Sequence, residues 1–315
     1  MAVLHLNLST NQAKIEVMTD IDFKSYLETR QARIDAAMDR YLPREDTYPV
    51  SLSKAMRYSA FSGGKRLRPI LCIASFECCG GAGEAVLPIA CAIELIHTYS
   101  LIHDDLPCMD YDDLRRGKPT SHKVFGEAVA VLAGDALLSF AVELVLAEGG
   151  KSLGSGLAVR ILTDLVRAAG PAGMVAGQVV DIESEGKEAE PETVKYIHTR
   201  KTGALVASSA RCGAMAAGAI DSVVDRLSTY GTKVGLAFQI VDDVLDVEGS
   251  FGKLKSDSRL DQKKRKATYP TAFGLEEAKA AAARLAREAK EALADLGETA
   301  APLRLLADLV VNRSF

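Results

Sequence analysis

Two apolar helical runs that end in adjacent aspartates constrain the fold of this chain more than any other feature. The first run closes at Asp104 and Asp105, where Pro107 disfavours helical geometry at the preceding residue and stops the helix. The second run closes at Asp242 and Asp243. The apolar residues around both pairs belong in a core, where carboxylates are costly unless they have a function. The sequence therefore predicts two helices that bring carboxylates to the rim of a core.

A dense group of carboxylates follows the first run. Five aspartates fall within the ten residues 104–113, and charges this close repel unless water or a multivalent cation neutralises them. Mg²⁺ and Ca²⁺ prefer oxygen ligands, and Mg²⁺ usually takes one or two carboxylates together with water and substrate phosphates. Arg115 and Arg116 come next and suit phosphate oxygens. This stretch predicts a site that holds phosphate with the help of a metal.

The second run has sharper spacing. Gln239, Asp242, Asp243 and Asp246 stand at i, i+3, i+4 and i+7, so their polar groups share one stripe of a helix whose other faces are apolar. A single aspartate pair is more often a solvated helix face. Two such pairs on apolar runs favour a functional site instead.

The composition bounds the class of protein. With 315 residues, 48% of them hydrophobic, and no linker that would separate two cores, we expect a single domain over residues 1–315. The net charge of −4 gives no nucleic-acid footprint. The six cysteines lack zinc-ligand spacing and indicate free thiols in a reducing compartment. Without a secretory start or 18 uninterrupted apolar residues, we expect a cytoplasmic protein with no stable membrane insertion.

The hydrophobic periodicity is helical almost throughout. Apolar residues recur at i, i+3 and i+4, and the alternation typical of strands is scarce, so the fold class is all-α and no sheet is expected. The predicted helices cover residues 20–41, 50–61, 69–79, 84–106, 122–148, 151–169, 171–184, 192–217, 221–249, 270–296 and 300–313.

Basic residues cluster in the segment 62–69. Two glycines let the backbone turn, and Lys65, Arg66 and Arg68 stand at the start of a helix, where free N–H groups attract anions. A basic surface turn is the alternative interpretation. His97 lies seven residues before Asp104 on the same helical face, so it is a candidate for the same site as well as for an ordinary core histidine.

A second basic candidate precedes a helix of small residues. Lys201 comes just before the segment 204–210, whose small side chains allow close packing, and this places the lysine at a cavity wall unless it is simply exposed. Gln178 and Asp181 lie on another helix of small residues. We assign them a supporting role, in which they hydrogen-bond and orient neighbouring cationic side chains.

Together these motifs resemble those of the short-chain trans-isoprenyl diphosphate synthases, the bacterial farnesyl and geranylgeranyl diphosphate synthase family, over nearly the whole chain. The resemblance implies a single-domain antiparallel helical bundle around a deep central cavity, with the two aspartate motifs facing each other across its mouth, and a homodimer. It rests on Gly63-Gly64-Lys65-Arg66-Leu67-Arg68-Pro69, Asp104–Asp110 with the insertion Pro107-Cys108, Arg115-Arg116-Gly117, Lys201-Thr202, and Phe238-Gln239 with Asp242–Asp246.

The resemblance also implies a role for each matching residue. Three Mg²⁺ ions would be bound, two by Asp104 and Asp110 and the third by Asp242, with help from Asp105, Asp243 and Asp246 directly or through water. The allylic diphosphate would contact Arg115, Lys201 and Lys253, and isopentenyl diphosphate would contact Lys65, Arg68, His97 and Arg116. Thr202 and Gln239 would face the reacting carbons, and Lys266 is counted among the substrate-binding residues.

The basic loop 250–268 departs from the family pattern. Lys253 and Asp261 stand farther apart than in close relatives, and Arg265 replaces a usual glycine before Lys266. This departure makes Lys253 the least secure of the binding residues.

Product length is predicted from Tyr99. It stands five residues before Asp104, ~7.5 Å along the helix on the tail side of the diphosphate site, where an aromatic ring would stop a growing chain. We therefore expect a prenyltransferase that makes farnesyl diphosphate, with geranylgeranyl diphosphate as the alternative because Ser100 is small. An ordinary core tyrosine is the other interpretation of Tyr99.

Three other functions are compatible with parts of the pattern. A terpene cyclase shares the fold and the first motif, but it typically has a different metal motif in place of Asp242–Asp246. A non-catalytic synthase subunit would be expected to lose aspartates that are all present here. A purely structural helical protein leaves the charge pattern unexplained.

Overall fold

The apolar run that carries the first aspartate pair forms the central helix of the molecule. In the computed structural model, which describes residues 20–188, 190–252 and 267–312, α4 (Leu87–Asp104) is buried on all faces from Leu87 to Ile96. A helix that is apolar on every side is stable only inside a core. Helices on several sides cover α4, among them α1 (Asp20–Tyr41), α3 (Leu67–Cys78) and α6 (Glu127–Leu144).

The described residues form one helical domain, which confirms the all-α prediction. Two π-helical turns, Val145–Gly149 and His198–Gly203, interrupt the α-helices. The remaining helices are α2 (Val50–Ala60), α5 (Ser121–Phe125), α7 (Gly150–Leu153), α8 (Ser155–Ala169), α9 (Met174–Ser184), α10 (Pro191–Ile197), α11 (Ala204–Ala216), α12 (Asp221–Gly252), α13 (Tyr269–Phe273), α14 (Leu275–Ala292) and α15 (Ala301–Val311), with 3₁₀ turns at Ala294–Leu296 and Glu298–Ala300.

Four of the predicted helices are divided in the structure. The predicted helix 151–169 breaks at Gly154, where φ is 89°, into α7 and α8. The predicted helix 122–148 breaks at Gly126 and the predicted helix 270–296 breaks at Gly274, where φ is 81° and 87°. Glycine adopts such left-handed φ values without the steric cost of a side chain. The predicted helix 192–217 continues through the π-helical turn His198–Gly203, whose extra residue per turn leaves no mark in the hydrophobic periodicity.

The expectation that the chain contains no sheet is wrong for four residues. β1 (Leu114–Arg115) and β2 (Lys118–Pro119) form a short antiparallel pair. The two residues between them, Arg116 and Gly117, have φ of 54° and 76°, as a tight two-residue hairpin requires. A pair this short has no hydrophobic alternation, so strand periodicity gave no signal for it.

Close packing brings the second aspartate motif to its position. A Cβ atom on Gly235 of α12 would lie 3.0 Å from the Cα atom of Gly203, so the backbones of α12 and the π-helical turn nearly touch. One turn farther along α12 comes Gln239, and Asp242 follows it. The second motif is therefore held directly against the turn that carries Lys201 and Thr202.

Within the described ranges, one helical stretch is long and apolar enough to cross a membrane by length and composition alone. It covers Glu127–Leu153, and 39% of its most apolar window is buried inside the protein. Asp135 and Glu143 interrupt its apolar sequence. The expectation that the chain does not insert into a membrane stays a prediction.

Candidate active site

One cavity of about 620 Å³ collects most of the predicted site residues. It lies between the C-terminal end of α4, the loop after it, α9, the π-helical turn His198–Gly203 and α12. Helices that are far apart in sequence thus bring both aspartate motifs to one opening. The predicted residues in its lining are Arg68, His97, Tyr99, Asp104, Asp110, Arg115, Arg116, Lys201, Thr202, Gln239 and Asp242.

Other predicted residues lie outside this lining. Lys65 is exposed, whereas Asp105 and Asp243 are buried in the protein next to the cavity. Asp246 lies one turn beyond Asp242 on α12. Lys253 and Lys266 fall outside the described residues, and their roles stay predictions.

Asp104 carries the largest pKa shift among the aspartates of the first motif. Burial raises its pKa to about 6, and the negative charges of Asp110 and Asp105 act in the same direction against the cations Lys201 and Arg115. A buried carboxylate that its surroundings do not fully neutralise is a preferred ligand for a cation. The electrostatics of the cavity mouth therefore favour positive charge beside Asp104.

Asp105 is engaged by an arginine of the hairpin. Arg115 donates from Nε and Nη2 to Oδ1 of Asp105, over 2.7 and 2.5 Å. Burial raises the pKa of Asp105, and the hydrogen bond and charge of Arg115 lower it. This pair directs the Arg115 guanidinium, which itself lines the cavity. The prediction that Asp105 assists the metal stays a prediction.

Lys201 is a fixed cation on the opposite wall. Its Nζ lies 2.6 Å from Oδ2 of Asp181, and although burial lowers the pKa of Lys201, Asp181 outweighs it and the pKa is raised. Asp181 thus orients a cationic side chain as predicted. Gln178 does not, because among the described residues neither atom of its buried amide has a hydrogen-bond partner. The supporting role predicted for Gln178 is wrong.

The second motif uses its carboxylates differently. Asp242 lines the cavity, but Asp243 is only 6% exposed and accepts hydrogen bonds from Gln239 and from the backbone N–H of Tyr269. Gln239 in turn accepts from the Thr202 hydroxyl over 2.7 Å. Thr202 and Gln239 therefore reach the cavity wall as one hydrogen-bonded unit.

A second anion-binding corner lies beside the first motif. Nη1 of Arg68 is 3.3 Å from Nε2 of His97, and burial together with the charge of Arg68 holds the pKa of His97 well below its usual range. His97 is therefore neutral at physiological pH. Arg116 donates to the carbonyl of Gly63, and Gly64, with φ of 123°, leaves no room for a side chain against that guanidinium.

The basic segment 62–69 also contains a residue with a structural task. Arg66 is buried, with a left-handed φ of 50°, and pairs with Glu94 and Asp35 over 2.8 and 2.9 Å. The arginine ties the segment to α1 and α4. Charge patterning alone did not separate Arg66 from its neighbour Arg68, which faces the cavity.

Apolar side chains form another part of the cavity lining. Tyr99, also in the lining, is 8% exposed and contacts the ring of His103 edge to face, with ring centroids 5.7 Å apart. An apolar face of α9 also lines the cavity, and the sequence analysis missed it. These residues stand at i, i+1, i+5 and i+8, which places them on one face of α9. The spacing alone does not reveal what that face contacts. The residues are Met174, Val175, Val179 and Ile182.

Comparison with known proteins identifies the family. The chain belongs to the polyprenyl synthetase family, whose profile matches residues 49–301. It is 43% identical to the farnesyl diphosphate synthase of Geobacillus stearothermophilus over 296 residues, 94% of this chain and 99% of that protein. It is also 43% identical to the geranylgeranyl diphosphate synthase of Cyanophora paradoxa over 299 residues, 95% of this chain and 99% of that protein.

The solved structures agree. The crystal structure of an FPP/GFPP synthase from Zymomonas mobilis superposes with a TM-score of 0.82 at 38% identity, covering 92% of this chain and 99% of that chain. The protein is thus a trans-prenyltransferase, and the resemblance inferred from the motifs is confirmed.

Proposed function

We propose that this enzyme condenses allylic diphosphates head to tail with isopentenyl diphosphate and makes farnesyl diphosphate as its main product. One observation carries the proposal: a single cavity is lined by carboxylates and cations and also by apolar side chains and the ring of Tyr99. A diphosphate with a hydrocarbon tail matches that combination. We propose that the charged side chains form a polar end, which binds the diphosphate, and that the apolar side chains form the other end, which takes the tail.

Mg²⁺ fits the donor set of the polar end. Among residues 20–188, 190–252 and 267–312, no three His, Cys, Asp or Glu side chains form a self-sufficient metal site. Instead, Asp104 and Asp110, from the end of α4 and the loop after it, and Asp242, from α12, all line the cavity. Mg²⁺ usually takes only one or two carboxylates and completes its shell with water and substrate phosphates. We propose three ions, two held by Asp104 and Asp110 and the third by Asp242.

Each of the two substrates is proposed to bind its own group of cationic residues. Lys201, kept charged by Asp181, and Arg115, directed by Asp105, face the proposed metal positions and suit the allylic diphosphate. Arg68, Arg116 and the neutral His97 form the second corner, which suits isopentenyl diphosphate. Separate anion sites are what a condensation of two diphosphates needs.

The reaction breaks and forms one bond on each substrate. The allylic C–O bond breaks, the diphosphate leaves with the electron pair, and the double bond of isopentenyl diphosphate attacks the allylic cation. Lys201 and Arg115 stabilise the negative charge on the departing diphosphate, and Mg²⁺ held by Asp104, Asp110 and Asp242 would supply further positive charge there. The new C–C bond lengthens the chain by five carbons, and a proton passes to the diphosphate. The oxygens of Gln239 and Thr202 at the cavity wall stabilise the positive charge, and the apolar end excludes water.

The ring of Tyr99 supports a fifteen-carbon product. It lines the same cavity as the apolar face of α9 and packs edge to face on the ring of His103. Geranylgeranyl diphosphate is the second candidate because Ser100 also lines the cavity and the relatives include synthases of both names.

Product analysis tests the proposal directly. We expect purified enzyme with dimethylallyl or geranyl diphosphate, isopentenyl diphosphate and Mg²⁺ to yield farnesol after dephosphorylation. Tyr99→Ala should shift the product to twenty carbons or more, while Tyr99→Phe keeps the ring and the fifteen-carbon product. A cyclic hydrocarbon or no product would contradict the proposed reaction, and an unchanged profile in active Tyr99→Ala would contradict the role of Tyr99.

We further propose a homodimer. The outward faces of α6 and its extension expose large apolar side chains, with Leu132 58% and Leu146 44% exposed, and Val159 on the neighbouring α8 is 53% exposed. A second copy of this chain would cover such a patch. We expect the mass of a dimer in solution by light scattering, and a monomer for Leu132→Asp. A native monomer at micromolar concentration would contradict the proposal.

We also propose a cytoplasmic location. The six cysteines are all free among the described residues, as expected in a reducing compartment. Cell fractionation with an antibody against the protein tests this location, and recovery from an oxidising compartment would contradict it.

A further inference from the structure

Four side chains join the π-helical turn His198–Gly203 to α12. Oγ1 of Thr202 donates to Oε1 of Gln239 over 2.7 Å, and Nε2 of Gln239 donates to Oδ1 of Asp243 over 3.1 Å. Nε2 of His198 lies 3.0 Å from the other oxygen of Asp243. His198 and Thr202 stand four residues apart on the turn, as Gln239 and Asp243 do on α12, so the two pairs face each other.

A third element closes this cluster. The backbone N–H of Tyr269, at the start of α13, donates to Oδ2 of Asp243 over 2.8 Å, and the ring of Tyr269 stacks on that of His198 with centroids 6.1 Å apart. His198 is 3% exposed and Asp243 is 6% exposed. A buried carboxylate is retained only where donors satisfy it, and here donors come from three elements.

The Asp243 carboxylate fixes the direction of the two hydrogen bonds that connect it, through Gln239, to Thr202. An ionised carboxylate can only accept hydrogen bonds, so the Gln239 amide must turn its NH₂ group toward Asp243 and its carbonyl oxygen toward Thr202. The Thr202 hydroxyl then donates its hydrogen to that carbonyl oxygen. Gln239 and Thr202 both line the cavity, so the wall beside the reacting carbons presents oxygen lone pairs rather than N–H groups.

We infer that Asp243 and His198 are positioning residues, which set the orientation of the Gln239 amide and the Thr202 hydroxyl so that their oxygens face the allylic cation. The inference rests on the proposed function and deepens it. It also gives Asp243 a role within the protein, in place of the assistance to Mg²⁺ that the resemblance implied. Asp242, its neighbour, lines the cavity and keeps the metal role proposed above.

The choice of histidine at position 198 supports this role. Because Asp243 accepts only, Nε2 of His198 carries the hydrogen at their 3.0 Å contact. The other ring nitrogen, Nδ1, is buried and has no hydrogen-bond partner among the described residues. An unsatisfied buried nitrogen costs free energy, and a phenylalanine would fill the same space without that cost. The histidine therefore indicates a requirement for its Nε2–H group beside Asp243.

Steady-state kinetics of three variants test the inference in the full-length enzyme. With geranyl and isopentenyl diphosphates and Mg²⁺, we expect His198→Phe and Asp243→Asn to lower kcat at least about tenfold, because the Gln239 amide is then free to flip. The KM values of both substrates should stay within about twofold of native, since no binding group is removed. His198→Gln keeps an N–H donor and should recover part of kcat. Thr199→Ala, on the exposed face of the same turn, is the matched control and should leave kcat unchanged.

A binding measurement separates positioning from metal ligation. Calorimetric titration of Mg²⁺ in the presence of inorganic diphosphate should give the native affinity for Asp243→Asn and a loss of at least about tenfold for Asp242→Asn. An equal loss in both variants, or a native kcat in His198→Phe and Asp243→Asn, would overturn the inference.

Two further outcomes are assigned in advance. If His198→Phe does not fold, by its thermal unfolding curve, Asp243→Asn and His198→Gln make the same comparison, and native kcat in Asp243→Asn overturns the inference. Native enzyme that yields no prenyl product contradicts the proposed function instead. The titration still reports whether Asp243 behaves as a metal ligand, and a loss of affinity in Asp243→Asn overturns the inference in that case too.

Discussion

The two aspartate motifs begin alike, yet the protein treats their second carboxylates differently. Asp105 is engaged by the guanidinium of Arg115, a charged side chain that is 29% exposed and reaches the cavity. Asp243 is engaged by the amide of Gln239, which lines the cavity, and by the backbone of Tyr269, with the buried His198 beside it.

Under the function proposed above, this difference gives one local pattern two purposes. At the first motif, we expect the second carboxylate to direct a cation toward a diphosphate and so to act on substrate binding. At the second motif, we expect the second carboxylate to fix neutral dipoles beside the reacting carbons and so to act on the chemical step. The lead aspartates, Asp104 and Asp242, have the same position at the cavity wall in both motifs.

The largest effect is expected from substitutions of the lead aspartates, Asp104 and Asp242, which line the cavity in both motifs. Asp104→Asn and Asp242→Asn should each lower kcat by roughly 10²–10³-fold with the thermal unfolding midpoint unchanged, because each removes a carboxylate proposed to hold the Mg²⁺ that neutralises the leaving diphosphate. Turnover at saturating Mg²⁺ and circular dichroism melting measure the two quantities. Near-native turnover in either variant would contradict the prediction that Asp104 and Asp242 have equivalent roles.

The pH dependence sharpens the comparison at the first motif. Burial raises the pKa of Asp104 to about 6, so below pH 6 the carboxyl holds a proton that must leave before a cation binds. The Mg²⁺ concentration for half-saturation, with inorganic diphosphate present, should be flat above pH 6 and rise up to about tenfold for each pH unit below it. Calorimetry measures it. Asp104→Asn should lose this dependence, and a native curve that is flat from pH 5 to 7 would contradict the prediction.

Substitutions of the second carboxylates, Asp105 and Asp243, are expected to affect different kinetic parameters. Asp105→Asn should raise the KM of the allylic diphosphate by about tenfold with a smaller change in kcat, because a charged hydrogen bond to Arg115 is lost and the guanidinium is no longer directed. Arg115→Lys keeps the charge without the fork and should show the same change. The opposite split, in kcat rather than KM, would mean that Asp105 acts as Asp243 is inferred to act.

The smallest expected effect concerns a partly exposed partner of the same arginine. Asp112 lies 3.6 Å from Arg115, and ion pairs of this kind contribute ~0.2–1 kcal/mol. Asp112→Ala should therefore change the KM of the allylic diphosphate by no more than about fivefold. A larger change would mean that Asp112, as well as Asp105, orients the Arg115 guanidinium.

Local patterns predicted the helices and the lead aspartates well. The run ending at Asp104 reads as a buried helix because its apolar residues surround the axis, and α4 is buried on all faces over its first ten residues. Breaks at Gly126 and Gly274 were missed because a glycine inside a helical pattern does not by itself reveal a left-handed φ. The π-helical turn was missed because one extra residue per turn hardly alters the periodicity.

Most of the hydrogen bonds at the site depend on residues that are distant in sequence. Asp243 pairs with groups 26 residues later and 45 residues earlier, and Lys201 pairs with Asp181, 20 residues away. The sequence predicted that Asp181 orients a neighbouring cationic side chain, and only the structure shows that this side chain is Lys201. The sequence did not show that Gln178 would be left without a partner among the described residues.

By itself, the sequence determined an all-α protein with carboxylate pairs on two apolar helices, since helical periodicity, helix stops and the chemistry of aspartate are local properties. Only the tertiary structure decided which carboxylates reach the cavity and which turn inward to Arg115 or to Gln239 and Tyr269. The physical reason is that a hydrogen bond requires its donor within about 3 Å and correctly aligned, and such geometry arises only when separate helices pack together.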